Sequence, residues 1–127
     1  MEAKQYDPKR DPRVKQLKIK TGVVRRLAKE KVMYEKEADS QRQRIQKFKD
    51  EGKDDHDIRK QEEVLQESLM MVPDCQRRLV KAYEDLTKTL EEVSELKDTE
   101  DYSAAVKVLA DAKPELPADG QAVLHFC

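Results

Sequence analysis

Three small groups of residues in this chain are of a type that does chemistry. Asp54, Asp55, His56 and Asp57 stand together, but their spacing matches neither a zinc site nor a calcium loop, and acidic residues at a helix start need no metal. His125 and Cys127 offer an imidazole and a thiol that could bind metal only opportunistically, in a stretch that reads as a mobile tail. Cys75 falls opposite Lys31 if the chain folds back on itself, and an ammonium beside a thiol lowers its pKa. The plainer reading is a small core residue and a lysine whose stem lies along apolar surface. There is no glycine-rich phosphate loop and no nucleophile with a base at usable spacing. The expectation is a protein without catalytic residues, metal or cofactor.

What remains are elements that hold surfaces. Ile58, Leu65, Val72, Leu79, Leu86 and Val93 recur every seven residues, the spacing of a coiled-coil seam. Upstream, Leu17, Val24, Ala38 and Ile45 hold one heptad position and Leu27, Tyr34 and Phe48 the other, interrupted by Lys20, Lys31 and Gln41. Asp50-Glu51-Gly52-Lys53 supplies a stop between them. Closing a hairpin there pairs Phe48 with Ile58, Gln41 with Leu65, Tyr34 with Val72 and Leu27 with Leu79 at one constant register. The second seam agrees, with Ile45 opposite Gln61 and Val24 opposite Ala82. The seam's partner is therefore the chain's own first helix.

The expected architecture is all-α: an antiparallel coiled-coil three-helix bundle with two long helices and a shorter third, the second kinked at Pro73. Helices are expected at about 12–50, 55–96 and 99–112, with Asp11 and Pro12 starting the first and Asp98 or Thr99 capping the third. Tyr102, Ala105, Val106, Leu109 and Ala112 supply the third helix's apolar face. It is too short to cover the hairpin and should lie over Leu17–Leu27 and Leu79–Val93, leaving the region from Met33 to Met71 less covered. Residues 1–10 read as a flexible arm, 11–113 as the bundle and 114–127 as a disordered tail.

Composition agrees with such a rod. Charged residues make up 42% of the 127 and aromatic residues 5%, with no Trp, so there is little material for a deep pocket. Lys plus Arg number 26 against 27 Asp plus Glu, a balance that argues against nucleic acid as the partner. No run approaches the roughly 20 apolar residues needed to span a bilayer, and two cysteines make no disulfide framework, so a cytoplasmic location is expected.

Charge is nonetheless unevenly placed. Arg13 to Lys31 carries eight basic residues and one acidic, while residues 84 to 101 carry eight acidic and two basic. The antiparallel register sets these segments side by side, so the charges flank the seam and fix orientation. Arg25, Arg26 and Lys29 are the cations that could point outward to an acidic partner. Met33, Leu69, Met70 and Met71 fall beside the seam near Pro73, where flexible thioethers suit either core filling or a protein partner.

Two stretches carry a family resemblance. DPRVKQLKIKTGVVRRLAKEKVMYEKEA, from Asp11 to Ala38, and LQESLMMVPDCQRRL, from Leu65 to Leu79, closely resemble the tubulin-binding cofactor A family, also called tubulin-specific chaperone A; weaker matching extends over about residues 11–112. The resemblance implies a three-helix bundle that binds quasi-native β-tubulin after its release from the cytosolic chaperonin. It also implies passage of that subunit, with the other tubulin cofactors, toward the heterodimer with α-tubulin. On that reading Lys18, Arg25, Arg26, Lys29, Met33, Met70 and Met71 are the candidate β-tubulin contacts, and no family motif assigns them individually. The expected protein is a cytoplasmic monomer associated with the microtubule cytoskeleton, binding neither nucleic acid nor membrane. The residues leave two alternatives open, a coiled-coil scaffold that self-associates through its uncovered face and a basic amphipathic module for a membrane or nucleic acid.

Overall fold

The computed structural model describes residues 7–117. Within them, a helical hairpin is closed at one end by a third helix. α1 spans Pro12–Asp50, α2 Asp55–Glu92 and α3 Glu100–Ala112, with 3-10 turns at Pro8–Arg10, Ser94–Leu96 and Lys113–Glu115. The 39 residues of α1 make a rod about 58 Å long at 1.5 Å per residue.

Each boundary has a local cause. The Asp11 carboxylate accepts the Arg13 N–H at 2.9 Å with Pro12 as first helical residue, and Asp54 accepts from the His56 N–H at 3.0 Å. The loop acids thus act as a helix cap. At the end of α1, Gly52 adopts φ +68, the Lys53 N–H donates to the Phe48 carbonyl at 3.0 Å and the Gly52 N–H to Lys49 at 3.1 Å. This is a Schellman turn, and the left-handed residue at its centre favours glycine. Thr99 caps α3, its hydroxyl accepting from the Tyr102 N–H at 3.2 Å while donating to the Leu96 carbonyl at 2.7 Å.

The main core lies where three helices overlap. Leu17, Val24 and Leu27 of α1, Leu79, Leu86 and Leu90 of α2, and Ala105, Val108 and Ala112 of α3 form one buried cluster. Beyond α3 only two helices remain. No residue of α2 before Cys75 is buried, and Ile58, Leu65 and Val72 are only half-covered. Cross-hairpin contacts fix the pairing: Gln41 donates to the Gln61 carbonyl at 2.9 Å, and Lys20 reaches Thr89 at 2.7 Å and Asp85 at 3.3 Å. Lys20 with Asp85 sets a basic and an acidic side chain beside the seam, and Arg13 bonds Glu95 just beyond α2, whereas Lys18 Nζ, 3.8 Å from Asp101, pairs with α3 instead.

Three sequence expectations are corrected. α2 ends at Glu92 rather than 96, because Val93 leaves helical geometry and the following turn buries Val93 and Leu96 against Val14. On α3 Val108 takes the core position expected of Val106, which is 48% exposed. The bundle also continues past residue 113: Lys113–Glu115 form a turn and Leu116, 3% exposed, joins the main core. At the other terminus, Pro8–Arg10 form a turn capped by Asp7, whose carboxylate accepts the Lys9 N–H at 3.0 Å. Residues 1–6 of the expected arm and 118–127 of the expected tail lie outside the described residues.

Candidate functional site

Because α3 stops near the middle of the hairpin, a step is left where it ends. A groove of about 960 Å³ opens there. Its α1 wall presents Arg25, Lys29, Met33, Lys36 and Ser40, its α2 wall Val64 and Ser68, and its closed end Val108, Ala112 and Glu115. A second hollow, of about 480 Å³, continues across the α2 wall through Glu37, Val64 and Ser68 to Met70 and Met71. Met33 is 44% exposed, Val64 46% and Met70 70%, so the molecule presents unusual apolar area here.

The seven candidate contacts divide accordingly. Arg25, Lys29 and Met33 stand four residues apart on one stripe of α1, which borders both the groove and a smaller hollow on its other flank. Arg26 lines that flank, its guanidinium 3.7 Å from Glu30. Met70 and Met71 line the adjoining hollow. Lys18 is elsewhere, engaged with Asp101 on α3. Sequence reasoning missed Val32, Lys36 and Val64, which also line the groove. Val64, Ser68 and Met71 follow a three- and four-residue spacing on α2, a signal overshadowed by the stronger heptad beside them.

One electrostatic arrangement supports the closed end. Lys31 is only 6% exposed, yet its ammonium lies 3.5 Å from Glu35 and 3.7 Å from Glu115. The lysine expected opposite Cys75 therefore serves two carboxylates. Cys75 itself is buried, and its thiol is held above the ordinary value by burial first and then by Glu30 and Asp74. This is a core cysteine with a suppressed thiolate rather than an activated nucleophile. Among the described residues no cluster of His, Cys, Asp or Glu could hold a metal ion, and no helix is long and apolar enough to cross a membrane.

The described residues thus form a three-helix rod with a shallow amphipathic groove beyond the end of α3. Comparison with known proteins places it more closely. Residues 12–109 match the family model for tubulin binding cofactor A, and the chain belongs to that family. It is 59% identical to the tubulin-specific chaperone A of Gallus gallus over 105 residues, covering 83% of this chain and 97% of that protein. Human tubulin chaperone cofactor a matches as a solved structure with a TM-score of 0.70 at 57% identity, over 80% of this chain and 99% of the other. The crystal structure of tubulin folding cofactor A from Arabidopsis thaliana gives 0.73 at 41%, over 80% and 96%.

Proposed function

We propose that this chain is a tubulin-folding cofactor that binds quasi-native β-tubulin released from the cytosolic chaperonin and keeps it competent for assembly with α-tubulin. Its place of action is the cytoplasm and its working form a monomer. The observation that carries the reading is the groove beyond α3: an apolar floor of Met33, Val64, Val108 and Ala112 bordered by the cations Arg25, Lys29 and Lys36. Such a surface suits a partner with exposed apolar segments and acidic flanks. The names of the relatives, tubulin-specific chaperone A and tubulin-folding cofactor A, supply the partner's class.

The mechanism needs no turnover. A protein that binds a near-native subunit and not its unfolded or aggregated forms stabilises it by mass action, in proportion to the logarithm of its own concentration over the dissociation constant. Release then follows when a later tubulin cofactor or the α subunit competes for the same surface.

The test is recovery of β-tubulin from cell extract on the immobilised chain, beside α-tubulin, with sedimentation of the free chain. Preferential capture of β-tubulin by a monomer is the expected result. Equal capture of both subunits or of neither counts against it. A stable dimer unable to take up tubulin would favour the other use of the exposed Met33, Val64 and Met70 face, as a self-association surface.

A further inference from the structure

Gly22 stands inside α1, where glycine is the poorest helix former after proline, and nothing around it asks for a glycine. Its φ is not positive, and a Cβ built on it meets no atom within 4 Å. Its neighbours repeat at the spacing of a seam. Lys15, Gly22, Lys29 and Lys36 stand seven residues apart, and Ile19, Arg26 and Met33 do the same between them, so the two columns alternate by four and three along α1. This stripe faces away from the buried Leu17, Val24 and Ala38, and its side chains are all exposed, Ile19 at 64%. From Lys15 to Lys36 it covers about 32 Å of the rod at 1.5 Å per residue.

The stripe carries four cations and no carboxylate. Among the described residues Lys15, Lys29 and Lys36 have no ion-pair partner, and Arg26 lies 3.7 Å from Glu30 at the stripe's edge. A face kept only for solvent gains from alanine at position 22 and from polar residues in place of Ile19 and Met33. A face that receives another helix gains from glycine, because helix axes approach as near as about 8 Å only where the side chains between them are small. Over Gly22, the side chains of Arg25, Arg26 and Lys29 wall a hollow of about 350 Å³ that also takes in Met33.

We propose that this outer stripe of α1 is a second seam, which receives an acidic amphipathic helix of a partner protein. The helix crosses closest at Gly22, sets apolar residues on Ile19 and Met33 and brings carboxylates to Lys15, Lys29 and Lys36. Its acidity follows from the single sign of the seam, and its helical form from contacts that recur at heptad spacing. Lys29, Met33 and Lys36 also wall the groove beyond α3, so one partner can occupy both surfaces. That last consequence rests on the proposed function, whereas the seam itself does not.

The probe is a synthetic amphipathic helix of about three heptads, with leucine and alanine on one stripe and glutamate on its flanks. It is titrated into the isotope-labelled full chain beside the same peptide with lysine for glutamate. The acidic peptide should shift the amide signals of Ile19, Gly22, Arg26 and Met33, and the basic one should not. Gly22→Leu alters no charge and supplies a better helix former, so it should melt no lower than the parent chain while weakening the acidic peptide roughly tenfold or more. Unchanged affinity in that variant means that charge alone recruits the peptide, and it overturns the seam. Shifts confined to Val64 and Ser68, or no binding of the acidic peptide, overturn it as well. A dimer of the free chain that Gly22→Leu dissociates makes the occupant a second copy, which is equally fatal. None of these outcomes involves β-tubulin, so a failure of the proposed function is read separately.

Discussion

Lys31 and Glu115 lie 84 residues apart in sequence and 3.7 Å apart in space, and their ion pair joins the middle of α1 to the turn that ends the bundle. The lysine side chain is 8% exposed and the glutamate 24%, so the pair is partly withdrawn from water and less screened than a surface bridge. It fastens the segment that carries Leu116 into the core and closes one end of the groove.

Removing one partner is therefore unlike removing the pair. Glu115→Ala leaves a nearly buried ammonium with Glu35 alone and should cost about 1–3 kcal/mol, the scale for a lost partner of a buried polar group. Lys31→Met, which takes the charge away and keeps the stem's volume, should cost less than that and leave the Glu115→Ala effect much reduced in the double variant. Urea unfolding of the four proteins measures both; equal, additive losses would show that the pair is not coupled.

Leu79 is fully buried where all three helices meet, so Leu79→Ala should lose about 2–5 kcal/mol in chemical denaturation. Binding of β-tubulin should fall only as far as the folded fraction falls. A variant that stays folded yet cannot bind would put the seam itself at the interface.

Arg25 and Lys29 share the groove stripe, whereas Lys18 is spent on α3. Reversal of both, Arg25→Glu with Lys29→Glu, should weaken β-tubulin binding by roughly tenfold or more, as for loss of charged contacts in an interface, with the thermal melt little changed. Lys18→Glu should instead lower the melting temperature and spare the binding. The opposite assignment, read by calorimetry and affinity measurement on the same samples, would move the contact surface toward the start of α1.

Cys75 and Tyr83 are both held neutral by burial, with the thiol raised from an ordinary 9.0 and the phenol from 10.0. A neutral acid favoured in the fold contributes stability that is complete below the unfolded pKa and is lost as pH rises through the raised one. Stability should thus be flat in these groups up to about pH 9 and decline above it. Cys75→Ala should remove the earlier part of that decline. Chemical unfolding at stepped alkaline pH checks this, and a decline identical in the variant would assign the effect elsewhere.

The hairpin was legible because a heptad is a repeated local signal: Leu17, Val24, Leu79 and Leu86 are spaced by helix geometry and are all buried. Gly52 and Asp54 were legible as punctuation. What the sequence hid depends on contacts rather than period. Leu116 sits after a proline in a stretch that reads as tail, and its burial follows from where α3 happens to deliver it. Val64 looks like a stray apolar residue until α3 is seen to end short of it. The candidate cations read as one group in the sequence, and three-dimensional pairing separates Lys18 and Arg26, which have partners on the bundle, from the groove residues Arg25 and Lys29.

The shortness of α3 also divides the rod mechanically. Around the start of α1 and the end of α2, three helices share a buried core; toward Gly52, α1 contributes only Ala38, Gln41 and Ile45 as buried residues and the first half of α2 contributes none. Amide protons should accordingly exchange slowly around Leu79 and Leu86 and faster through Leu65 and Val72, where local opening exposes less apolar surface. On the proposed function the contact surface begins where the three-helix core ends and extends over the softer half, so that half would reshape around a partner while the braced half keeps its fold.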